Sequence, residues 1–103
     1  MASTDGPTRK SVMGWGNRGW VEIIELILEV CEKGALKTHI MYRCNLNSKQ
    51  IEQYLHFLHG HNLIDMAKNL QSSSRPVYIT TTVGKKYIEA YKLLESVFEE
   101  KID

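Results

Sequence analysis

The sequence has no apolar run approaching the length of a membrane span, and its N-terminus lacks the apolar segment of a secretory signal. A membrane protein is therefore not expected, and a cytoplasmic location is. Cysteine is scarce. Cys31 and Cys44 form no Cys-x-x-Cys pattern, and in a reducing compartment they read as two small buried side chains. His56 and His59 are three residues apart, not at the i, i+4 spacing of the usual helical zinc pair, so no metal is expected. Also missing are a nucleophile–base arrangement, a recognisable pair of catalytic carboxylates and a Gly-rich phosphate loop. The chain reads as a non-enzyme without a cofactor.

Net charge is almost absent, at +1 from 13 basic and 12 acidic residues, but its distribution is uneven. From Lys37 to Arg75 the basic residues are Lys37, Arg43, Lys49, Lys68 and Arg75, against only Glu52 and Asp65. All four histidines fall in the same stretch. Residues 22 to 32 instead carry Glu22, Glu25, Glu29 and Glu32 with no basic residue. This segregation favours an anionic partner for the middle of the chain. The 103 residues, 43% hydrophobic and 24% charged, suit a globular chain with one modest core.

What is present is organised around the stretch from Lys37 to Ile64, which reads as two short helices joined by a tight turn. The second is the better formed. Asn47 can cap it, and Gln50 three residues on can complete a capping box. Ile51, Tyr54, Leu55 and Leu58 fall on one face at helical spacing, while Lys49, Gln53 and His56 point the other way. Gly60 and Asn62 mark the stop. A short helix, a turn and a second helix with a polar outward ridge is the helix-turn-helix pattern.

The segments around this motif fit the same pattern. Residues 1–17 read as a flexible basic arm, with Arg9 and Lys10, and Trp20 is expected at the edge of the core. A first helix over Trp20 to Lys33 would bury Ile23, Ile24, Ile27, Leu28 and Cys31 and turn its four glutamates outward. The short helix, Thr38 to Arg43, would be capped by Thr38. Lys37, Thr38 and His39 then sit at an N-terminus that favours phosphate. Beyond the motif, a strand from Leu63 towards Leu70, the turn QSSSRP and a return strand Val77 to Thr80 form a hairpin, or wing. Its segment 68–76 carries Lys68, Ser73 and Arg75. The last helix, Thr81 to about Glu100, has two apolar stripes. Tyr87, Ala90, Leu94 and Val97 make the seam expected to pair with a second copy; Ile88, Tyr91 and Phe98 make the stripe expected to pack on the domain.

The ordered series Glu22-Ile23-Ile24, Ile27-Leu28, Lys37-Thr38, Ile40-Met41-Tyr42, Leu46, Tyr54-Leu55, Leu58, Leu63-Ile64, Tyr78, Thr80-Thr81 and Gly84 resembles the small archaeal winged-helix DNA-binding proteins. That group of predicted transcriptional regulators includes the Sso-type dimeric chromatin-associated proteins. The resemblance covers about Arg18 to Phe98. It implies an α+β, mostly α fold: a winged helix-turn-helix of three helices and a two-stranded wing over 18–81, with a C-terminal dimerisation helix over 82–103. It also implies a recognition helix at 48–59.

The expected function is sequence-specific binding of double-stranded DNA by a homodimeric, nucleoid-associated regulator. Lys49 would read guanine, Gln53 adenine, and His56 would meet sugar or phosphate; Asn47 and Ser48 begin the same helix. Glu52 either repels phosphate or accepts from a cytosine amino group. The competing reading is a winged-helix protein–protein interaction module that binds no DNA, which the low net charge favours.

Overall fold

The computed structural model describes residues 19–68 and 75–99. The expected arm at 1–17 and the wing tip with Ser73 lie outside them. The chain forms α1 (Trp20–Val30), closed by a 3-10 turn (Cys31–Lys33), then β1 (Ala35–Leu36), α2 (Lys37–Cys44) and α3 (Ser48–Gly60). It continues with β2 (Ile64–Lys68), β3 (Pro76–Thr80) and α4 (Thr82–Glu99). The strands make one antiparallel sheet in the order β1-β3-β2. This is the winged-helix architecture, mostly helical.

A single core joins these elements. The three- and four-residue spacing along α1 buries Ile24, Ile27, Leu28 and Cys31 against Ile40 and Cys44 of α2, Ile51, Leu55 and Leu58 of α3, Ile64 of β2 and Ile88 of α4. Both cysteines are free and buried, and burial pushes the Cys31 thiol up to about 12. It stays protonated and behaves as an apolar side chain.

The sheet has one strand more than the two-stranded wing expected. β1 pairs Ala35 with Tyr78 and Leu36 with Val77. At two residues it is too short to show any alternation in sequence. Gly34, at φ 91°, turns the chain into it from the 3-10 turn. β1 passes directly into α2, and this corrects the cap assigned to Thr38. Leu36, extended at φ −82° and ψ 155°, is the N-cap and gives no side-chain hydrogen bond. Pairing of Leu36 in the sheet fixes the helix start one residue before Thr38, which lies exposed in the first turn.

The acidic outer face drawn for α1 is also corrected. Glu22 and Glu25 are only 2% and 5% exposed. α4 lies along this side of α1: the Tyr87 hydroxyl donates to the Val21 carbonyl at 2.7 Å, and Lys92 Nζ pairs with Glu29 Oε2 at 3.2 Å. Burial first, then a hydrogen bond with Glu29 and the charges of Glu29 and Glu95, raise Glu25 to about 8 against the pull of Lys92. Trp20 is 61% exposed and does not close the core edge.

The α4 stripes divide differently from the expectation as well. Ile88 and Tyr91 are buried as expected, but Phe98 is exposed, standing towards the helix end. Tyr87 turns to α1 and is half-buried; Ala90, Leu94 and Val97 remain exposed, joined by Leu93.

The wing returns to α4 through a crowded junction. Thr80 Oγ1 donates to the Leu28 carbonyl at 2.7 Å, satisfying a buried hydroxyl and tying β3 to α1. Thr81 Oγ1 is directed at the carbonyls of Asn62 and Leu63, at 2.7 and 3.1 Å, and accepts from the Gly84 N–H at 3.0 Å. That last bond caps α4. A Cβ on Gly84 would run into the Leu63 carbonyl oxygen and, at 2.6 Å, Thr80 Cγ2.

Two consequences are measurable. Gly84→Ala would gain about 1 kcal/mol of helix propensity, but it overpacks against a backbone carbonyl, at a cost of roughly 1–3 kcal/mol. A net loss of stability in chemical denaturation is expected; an unchanged or higher midpoint contradicts the close approach. The second concerns Glu25. Its carboxyl titrates at about 8 in the fold against an ordinary 4.5, so between those values the native state holds the extra proton. Stability therefore falls as pH rises through this range. The melting temperature should decline from pH 5 to 8, and Glu25→Gln should flatten that decline and melt higher at pH 8.

Candidate nucleic-acid interface

The turn between α2 and α3 aims the second helix. Asn45 adopts the left-handed conformation, φ 57° and ψ 53°, which ends α2. The Leu46 N–H then bonds the Met41 carbonyl at 3.0 Å, and the Leu46 side chain is buried. α3 starts with a complete capping box. Asn47 Oδ1 accepts from the Gln50 N–H at 2.8 Å, and Gln50 Oε1 accepts from the Asn47 N–H at 3.0 Å. The Asn47 side chain is thus engaged at the cap, with Ser48 exposed just after it.

With Ile51, Leu55 and Leu58 fully inward, the opposite ridge of α3 is Lys49, Gln53 and His56, all exposed. At about 100° per residue, Glu52 and His59 form one shoulder of this ridge, and Gln50 and Phe57 the other. Each shoulder borders a shallow open cleft. The first, about 600 Å³, runs between α3 and the sheet and is lined by Lys37, Lys49, Gln53, His56, His59, Met66 and Tyr78, with Glu52 and Leu55. The second, about 490 Å³, lies between α3 and the start of α1, lined by Trp20, Ile24, Gln50, Gln53, Tyr54 and Phe57. Gln53 borders both.

The fold therefore brings Lys37, Lys49, Gln53 and His56 together in one cleft. Thr38 and His39 are exposed beside Lys37 in the first turn of α2. Lys68 ends β2 opposite Pro76, and Arg75, exposed, precedes β3. These two are at the far end of the hairpin, apart from the ridge. Ser73 falls outside the described residues.

Sequence reasoning missed several members of this face. The Lys37 ammonium is 2.8 Å from Glu52 Oε2, an ion pair between α2 and α3 that no local spacing announces. Its hydrogen bond raises Lys37 and lowers Glu52 from their ordinary values. His59 was legible in principle, since it follows Glu52 by seven residues and so shares its shoulder. Met66 and Tyr78 reach the cleft only through the β2–β3 register, which pairs them directly. The Phe57 and His61 rings meet at a tilt of 48°, with centroids 4.4 Å apart, where α3 ends.

Among the described residues, no three or more His, Cys, Asp or Glu side chains gather as a metal site, and no helix is long and apolar enough to cross a membrane. No curated protein matches the sequence. Solved structures do match. Sso10a-2, a DNA-binding protein from Sulfolobus solfataricus, superposes with a TM-score of 0.70 at 24% identity, over 80% of this chain and 83% of that one. A single-residue mutant of MepR from S. aureus gives 0.69 at 20% identity, covering 75% of this chain and 59% of its own. The PcaV transcriptional regulator of Streptomyces coelicolor, solved with its natural ligand, gives 0.64 at 18% identity, over 82% and 62%. At such identities the likeness is one of fold. The sequence pattern of the winged helix-turn-helix family matches residues 17–99, from just before α1 to the end of α4, and the chain belongs to that family.

Proposed function

We propose that the protein binds duplex DNA sequence-specifically as a transcriptional regulator, acting on nucleoid DNA in the cytoplasm as a homodimer. One observation carries this reading. The polar ridge of α3 stands clear of the domain on a rigidly capped helix, with Lys37 and the sheet beside it. α3 enters the major groove, where Lys49 reads guanine and Gln53 adenine, with His56 further along on the backbone. The first turn of α2, with Lys37, Thr38 and His39, meets a phosphate, helped by its helix dipole. The hairpin, through Lys68, Ser73 and Arg75, tracks the adjacent backbone. Support comes from two neighbours in fold: Sso10a-2 is a DNA-binding protein, and a second mutant of MepR is bound to an oligodeoxyribonucleotide.

The dimer rests on α4. Leu93, Leu94, Val97 and Phe98 are 69%, 44%, 63% and 63% exposed. Four large apolar side chains in one turn and a half are an unusual expense of water-facing surface, and a second copy is the simplest cover. Ala90 continues the strip inward, and Tyr87 marks where it meets the protomer's own α1.

Titration of random duplex against the protein across a salt series tests the DNA reading. Affinity should fall steeply with salt, and Arg75→Ala or Lys68→Ala should weaken binding to every sequence while flattening the slope by about one unit each. Lys49→Ala and Gln53→Ala should instead relax preference at particular base pairs, at roughly 1–3 kcal/mol each. Absence of binding at low salt refutes the reading. For the dimer, Leu94→Glu places a charge on a side chain that is exposed in the protomer, so the fold should persist. Sedimentation should show a dimeric wild type and a monomeric variant with unchanged circular dichroism; a monomeric wild type at high concentration rejects the pairing.

A further inference from the structure

Lys37 and Glu52 face each other across the gap between the start of α2 and α3, and both border the cleft beside the α3 ridge. The joint between these helices does not need them. Ile40 and Cys44 already pack with Ile51 and Leu55 in the core. The two side chains are 38% and 62% exposed, and ion pairs in that setting stabilise a fold little. A weak, solvent-facing pair can change partners.

Each half of the pair has a better partner on DNA. The lysine is the first residue of α2, whose N-cap gives no side-chain hydrogen bond, and a helix start beside an ammonium suits a phosphate. The glutamate lies on the shoulder of the ridge, between Lys49 and His56 in sequence. Its carboxylate is drawn below its ordinary range by the lysine and is ionised at neutral pH, so it only accepts hydrogen bonds. In the major groove the cytosine amino group satisfies it. Guanine O6 and N7, thymine O4 and every phosphate oxygen repel it, and the adenine amino group sits beside the N7 acceptor of the same base.

Resting on the DNA reading above, we propose that Lys37–Glu52 is an exchangeable pair that makes Glu52 a specificity-determining residue: Lys37 passes to a DNA phosphate, and the bared carboxylate selects cytosine. In the free protein the lysine neutralises the carboxylate and lets an anionic surface approach. On a wrong sequence the bared carboxylate faces acceptors, and the exchange is opposed. Discrimination thus comes from repulsion as well as attraction.

The test uses the full chain, selection from a random duplex pool, and a salt series on unselected duplex. Glu52→Gln keeps the shape and removes the charge. It should lose a cytosine preference of about tenfold at one position of the selected site while binding unselected duplex more tightly than wild type. Lys37→Met should bind all sequences more weakly, with a salt slope smaller by about one. Lys37 is half-buried and Glu52 exposed, and circular dichroism checks that the variants fold. Wild-type binding with the same base preference in Glu52→Gln overturns the proposal alone, as does an unchanged salt slope in Lys37→Met, which means that the lysine never leaves the glutamate. A wild type that binds no duplex at low salt overturns the DNA reading and the proposal with it.

Discussion

The carbonyl oxygen of Leu63 is where this fold is tied. It accepts the Thr81 N–H at 3.1 Å, lies 3.1 Å from the Thr81 hydroxyl, and presses on a helical position that has no Cβ, Gly84. Leu63 leaves α3, Thr81 leaves the wing, and Gly84 opens α4. A single backbone atom therefore sets the relation of α3, hairpin and terminal helix. The Leu63 N–H is itself bonded to the Leu58 carbonyl at 2.9 Å, so the constraint runs back into the buried face of α3.

From that anchor the candidate interface follows with few free choices. Burial of Ile51, Leu55 and Leu58 fixes the rotation of α3, and the capping box fixes where it starts. The ridge of Lys49, Gln53 and His56 is what remains on the outside. Charge is then placed rather than abundant: the chain carries only +1 overall, and the acidic residues of α1 are turned towards α4 and away from the ridge. In any protein a low net charge limits indiscriminate attraction to phosphate.

Much of this was legible in the sequence because it depends on short-range order. The α3 cap, the polarity of its faces, the hairpin and the inward residues of α1 all rest on spacings of two to four residues. The failures involve partners far away in sequence. Glu22 and Glu25 look like a solvent face until α4 covers that side of α1. Thr38 looks like a cap until Leu36 is held by Val77 in a strand of two residues. Lys37 and Glu52 are fifteen positions apart on different helices, and their ion pair exists only once the turn at Asn45 has set the angle between them. Tyr87 shares the spacing of Leu94 and Val97, yet a hydroxyl that finds the Val21 carbonyl separates it from them. Periodicity assigns a side chain to a stripe; it does not say which neighbour the stripe will meet.

The passage from β1 to α2 has no loop. Leu36 is both the last residue of the strand and the cap of the helix, and the strand is hydrogen-bonded to β3, the return limb of the wing. A loop would act as a joint and absorb displacement. Here the hairpin and the first helix of the motif share a stiff mechanical link, like two prongs forged on one bar. The gap between them is set by the strand register, not by thermal adjustment of a linker. A surface that fits one prong must fit the other at the same separation.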